Sequence, residues 1–72
     1  MARLSTRDYD ELERSVRDGR RLSIVRQGRE LVVVPLRLFM REGRETIEVR
    51  HPTTGDMLTV RLDDLDEIGF IP

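Results

Sequence analysis

The sequence predicts a mainly β domain, an N-terminal helix followed by a five-stranded, strongly bent antiparallel barrel. Three observations carry that expectation. Helical spacing of apolar residues is confined to the first 18 positions. Beyond them, apolar and polar residues alternate in short runs, the period of strands with one buried face. Turn residues recur roughly every ten positions, the rhythm of a small barrel or sandwich.

Residues 5–18 read as the helix. Ser5 and Asp8 have the spacing of a capping box, with Thr6 as the alternative cap. Asp8, Asp10, Glu11 and Glu13 come early and Arg14 and Arg17 late, as the helix dipole favours. Asp10–Arg14 and Glu13–Arg17 are acid-before-base pairs at i,i+4. Tyr9, Leu12 and Val16 form one narrow apolar stripe, so the helix lies on a core, and Gly19 supplies its stop.

Leu22 and Ile24 alternate with Arg21 and Ser23 as the first strand, and Gln27-Gly28 is a hairpin turn. Leu31 to Val34 is apolar on both faces, as expected of a strand packed on two sides or bent sharply through a small barrel, and Pro35 ends regular pairing. Leu36 to Met40 extends that strand after a bend, and Glu42-Gly43 is the next turn. Thr46 to Arg50 alternates with Ile47 and Val49 inward. His51 to Asp56 is a turn in which Gly55 takes the left-handed position. Leu58, Val60 and Leu62 mark a fourth strand. Asp63 to Glu67 reads as a single helical or 3₁₀ turn, and Ile68 to Ile71 as the last strand. One helix and five strands make a helix-first SH3-like or Sm-like barrel, with residues 1–72 as its single domain.

Composition narrows the function. A chain of 72 residues holds one small core, burying roughly 60% of its unfolded surface, so self-association is expected as a supplement. Cys is absent, which excludes a disulfide framework and thiolate metal sites. No apolar run approaches the ~18 residues of a membrane span, and the N-terminus lacks a signal-peptide apolar core, so no membrane partner and a cytoplasmic location are expected.

Enzymatic activity and a bound cofactor are not expected. His51 is the only His, it adjoins Pro52 in a turn, and Ser5, Ser15 and Ser23 have no base in a recognisable motif. Asp63, Asp64, Asp66 and Glu67 lack the loop glycine and ligand order of a calcium site, and read as a solvated acidic turn.

Every basic residue is Arg. Guanidinium suits bidentate recognition of phosphate or carboxylate, although a GC-rich genome encodes the same bias and a net charge of −1 gives no strong overall field. Arg20, Arg21, Arg26 and Arg29 flank the first strand and its turn, so a hairpin places them in two groups, one at each end of that strand, and Arg17 joins the first group from the helix end; these five are the candidate nucleic-acid contacts. Of the aromatics, Tyr9, Phe39 and Phe70, the last two read as core residues. Asp10, Glu13, Asp64 and Asp66 are the candidate contacts for a protein partner.

The span from Leu12 to Ile71 resembles a short WYL domain, a sensing module of bacterial transcription regulators. The likeness lies in Arg-Asp-Gly-Arg-Arg-Leu-Ser-Ile before the first hairpin, in Val34-Pro35-Leu36, and in Thr59-Val60-Arg61-Leu62-Asp63. Thr46-Ile47-Glu48 stands where that family carries Trp-Tyr-Leu. Asp8-Tyr9-Asp10 with Leu12-Glu13, and Arg61-Leu62-Asp63, are similar to the Rho-binding antiterminator, a small Sm-like inhibitor of transcription termination. Both resemblances imply a nonenzymatic regulatory binding module in bacterial transcription or RNA regulation. Its partner would be a nucleic acid, or a protein of the transcription machinery. A small-molecule sensor is a third reading, for which a barrel filled by Val, Leu and Ile leaves little cavity.

Overall fold

The computed structural model describes residues 4–71. Helix α1 spans Thr6–Asp18, and the strands are β1 Leu22–Arg26, β2 Arg29–Arg41, β3 Arg44–Arg50, β4 Met57–Arg61 and β5 Glu67–Phe70, with a 3₁₀ turn at Leu62–Asp64 before β5. Among the described residues, no helix is long and apolar enough to cross a membrane.

The helix begins at the expected cap. Asp8 N–H donates to Ser5 Oγ at 3.1 Å and Ser5 N–H donates to Asp8 Oδ2 at 3.0 Å, closing the capping box. Gly19 ends it at φ 69°, a left-handed conformation that glycine adopts without a Cβ penalty. Leu12 is buried and Tyr9 packs against the core as the stripe predicts, but the second fully buried position is Ser15 rather than Val16. The surface pairing also differs from expectation: Arg14 reaches Glu11 at 3.3 Å, not Asp10, and Arg17 reaches Asp18 at 3.5 Å, not Glu13.

All strand neighbours are antiparallel, in the order β4-β3-β2-β1-β5. β4 and β5 each have a partner on one side only, so the sheet is open and the expected closed barrel is corrected. Between them the chain makes its 3₁₀ turn and commits Leu62 and Leu65 to the core instead of continuing a ladder. Asp66 N–H then donates to Val25 O at 2.7 Å, which leads β5 onto β1.

Strand β2 organises the sheet. Its first part, Arg29 to Val33, pairs with β1, and its second, Val34 to Arg41, pairs with β3. Pro35 does not end the strand; pairing continues through it, with a register shift between Pro35 and Arg37 that leaves Leu36 as the extra residue. A bulge is one of the few places where a strand tolerates proline, and it bends the sheet. It also resets the alternation. Val33 and Pro35 face the core before it, Leu38 packs toward the core after it, and Arg37, Phe39 and Arg41 fall on the outer face.

Of the two readings of Leu31 to Val34, packing on both faces is corrected: Leu31 is 38% and Val32 39% exposed, and only Val33 is fully buried. On the outer face of this part of β2, Val32 lies opposite Ser23. The core holds Leu12, Leu22, Ile24, Val33, Ile47, Val49, Val60, Leu62 and Leu65, with Ile24, Ile47 and Val60 inward as the alternation predicts.

Candidate functional site

The five candidate arginines divide between the two ends of β1. At the first end, Arg20 N–H donates to Ser15 O at 3.0 Å, completing the helix terminus, and Ile71 N–H donates to Arg21 O at 3.2 Å. Arg17, Arg20 and Arg21 are therefore held where the negative end of the helix dipole favours cations. Arg20 lines a depression of about 210 Å³ with Glu11, Ser15 and Phe70.

At the other end, Arg26 and Arg29 stand directly opposite each other across the Gln27-Gly28 turn. Both turn residues have positive φ, 52° and 76°, the two-residue geometry that matches the twist of the flanking strands. The two arginines line a groove of about 370 Å³ with Gln27, Glu30 and Leu31. Glu30 turns instead to Ser23, whose hydroxyl donates to Oε2 at 3.0 Å. Five residues of strand separate Arg21 from Arg26, about 17 Å, so the arginines form the two groups that the hairpin predicts.

Carboxylates neutralise few of them. Among the described residues, Arg17 pairs with its neighbour Asp18, while Arg20, Arg21, Arg26 and Arg29 have no acidic partner within 4.0 Å. Like charges placed directly opposite across a hairpin repel. The Arg26–Arg29 pair therefore has an electrostatic need that an anion in its groove would meet.

Acids gather elsewhere. Asp10 and Glu13 are exposed on α1, and Asp64 and Asp66 are exposed between β4 and β5. Tyr9 ties α1 to β3. Its hydroxyl donates to Glu45 Oε1 at 2.9 Å, and the phenol pKa is raised by that bond, by burial, and by the charges of Glu45 and Asp63. A cleft of about 410 Å³ opens beside it, where Arg44 pairs with Asp63 at 2.9 Å. Its principal polar groups thus satisfy one another.

Phe39 is not a core residue, which corrects the reading of it as one. It lies on the outer face of β2, with the Arg37 guanidinium 4.4 Å and the Arg41 guanidinium 5.6 Å from its ring centre. The signal was present as the alternation Arg37-Leu38-Phe39-Met40-Arg41, once the bulge at Leu36 sets which face is inward. Phe70, in contrast, packs against the core.

His51 is a turn residue. Its Nδ1 accepts from the backbone N–H of Thr53 and of Thr54, both at 3.2 Å. Among the described residues, no three His, Asp or Glu side chains gather as a metal site would require. Comparison of the sequence with protein-family models and with curated proteins finds no match.

Proposed function

We propose that this chain is a nonenzymatic regulatory binding module that contacts nucleic acid through arginines. The observation that carries the proposal is the opposed, acid-free pair Arg26 and Arg29 at the tip of the first hairpin. An isolated like-charge pair lowers stability, by roughly 0.2–1 kcal/mol for such cross-strand neighbours. A phosphate between them turns the repulsion into two charge-assisted hydrogen bonds. Arg17, Arg20 and Arg21 offer a second phosphate contact one strand length away. The bend of β2 at Pro35 and the helix-first order support an SH3-like or Sm-like fold type. The resemblances to WYL domains and to the Rho-binding antiterminator support a role in bacterial transcription or RNA regulation.

A second reading has its own observation. Asp10, Glu13 and Asp64 are exposed and make no ion pair among the described residues, so with Asp66 they offer a charged face to a protein of the transcription machinery. Charge complementarity of that kind acts chiefly on the rate of encounter.

Substitution separates the readings. Replacing Arg20, Arg21 and Arg29 with Gln should weaken nucleic-acid binding about equally across sequences, and should lower the slope of log affinity against log salt by about 0.7 to 0.9 per lost contact. Arg29→Gln alone should weaken binding while leaving the melting temperature unchanged or higher, because it relieves the repulsion. Reversing Asp10, Glu13, Asp64 and Asp66 to Arg should not weaken nucleic-acid binding. An Arg29→Gln protein that binds as tightly as the parent, in a parent that does bind, would remove the hairpin pair from the site.

A further inference from the structure

The outer face of β2, β3 and β4 is the largest surface feature that the two arginine groups leave unexplained. Antiparallel partners share a face, so the register draws a grid. Phe39, Thr46 and Arg61 form one row; Arg37, Glu48 and Thr59 form the next; Val34, Arg50 and Met57 form a third. Arg41 follows Phe39 on the same side. Strands lie about 4.8 Å apart and side chains on one face of a strand repeat about every 6.6 Å. Phe39 is thus flanked at short range by Arg37 and Arg41, with Arg61 two strands away, about 9.6 Å.

Charge on this face is predominantly positive. Arg37, Arg41, Arg50 and Arg61 are set against Glu48 alone, which pairs with Arg37 at 3.3 Å. Arg61 has only a distant contact, 3.9 Å, with the highly exposed Glu42. Arg41 and Arg50 have no acidic partner among the described residues. In the midst of these cations is an aromatic ring that is not packed with the core cluster.

We infer that this face holds single-stranded nucleic acid, with Phe39 as the post on which a base stacks and Arg41, Arg50 and Arg61 as phosphate contacts. Every base has a π-face, and stacking on an aromatic flanked by arginines is the sequence-tolerant way to grip an unpaired strand. A base can stack on the ring or on the Arg37 guanidinium that lies over it. A duplex hides its base faces and would use only the arginines. The one other task visible for Phe39 is to shelter its row neighbour Thr46, which is 1% exposed. A leucine performs that task without stacking.

The inference rests on the proposal that the partner is a nucleic acid and adds both its strandedness and a second surface. Its test compares binding of a labelled single-stranded oligonucleotide and the matching duplex, at low salt, by fluorescence anisotropy. Phe39→Leu should weaken the single strand about 5- to 100-fold and lower the ratio of single-strand to duplex affinity. Phe39→Trp should keep the affinity, and its emission should be quenched on binding, in a chain that otherwise has no Trp. An equal loss for both oligonucleotides in Phe39→Leu would overturn the stacking role. So would an unquenched Trp at saturation, which decides the matter even where the Leu variant fails to fold. A parent that binds, loses binding with the Arg20, Arg21 and Arg29 substitutions, and is indifferent to Phe39→Leu would refute this surface and leave the nucleic-acid proposal standing. A parent that binds neither oligonucleotide would refute the proposal itself.

Discussion

Tyr9 is held between two charged elements, and its ionisation reports that contact. The chain has no Lys, no Cys and one Tyr, so between pH 10 and the arginine range Tyr9 is the only side chain that titrates. Its pKa is raised above the ordinary 10.0, first by the hydrogen bond it donates to Glu45. A raised folded-state pKa means that the stabilising contribution is fully present below pH 10, and is lost as pH rises through the folded value. The melting temperature of the parent should therefore fall over that alkaline window, whereas that of Tyr9→Phe should start lower and vary less. Ile24, Ile47 and Val60, each from a different strand, are at most 2% exposed. Ile24→Asp, Ile47→Asp or Val60→Asp would bury a carboxylate without a partner, at a cost of about 4 kcal/mol or more, comparable to the whole stability of a domain this small. Circular-dichroism melts should show each variant unfolded or nearly so. A variant as stable as the parent would contradict the inward assignment of that residue.

At the scale of elements, the bulge in β2 decides which side chains meet the core and which face outward. Deleting Leu36 would leave Pro35 opposite Val49 and Arg37 opposite Glu48, so both ladders could persist while the bend is lost. The expected result is a folded but destabilised protein, with a lower denaturation midpoint. Unchanged stability would mean that the bend is dispensable to packing. The helix with its Ser5 cap, the turns at Gln27-Gly28 and Glu42-Gly43, and the inward residues of β3 and β4 were legible in the sequence, because each follows from a rule acting over a few neighbouring residues. The face of Phe39 was not, since it depends on an extra residue three positions earlier that shifts the alternation by one. Leu65 was lost for another reason: four acids surround it, and only the tertiary fold shows that it is buried. The open sheet edges also lay beyond local reading, because whether β4 meets β5 is settled by what fills the space between them.

Over the whole molecule, a net charge of −1 conceals a separation. From position 20 to position 61 there are nine Arg against five acids, a net of +4; the segment from 62 to 72 carries four acids and no base; and α1 carries five acids against three Arg. The sum therefore hides the separation: the outer face of the sheet carries Arg37, Arg41, Arg50 and Arg61 against Glu48, while acids outnumber bases on the helix and around the 3₁₀ turn. The division of the arginines between the two ends of β1 was legible in the sequence, because it follows from the length of one strand and the position of one turn. Binding of a labelled single-stranded oligonucleotide to the parent protein, followed across a salt series, tests the central claim most directly. The account predicts measurable binding at low salt, and a linear fall of log affinity with log salt whose slope corresponds to several phosphate contacts, at about 0.7 per contact for a single strand. Screening is weakest at low salt, so an absence of binding there would contradict it.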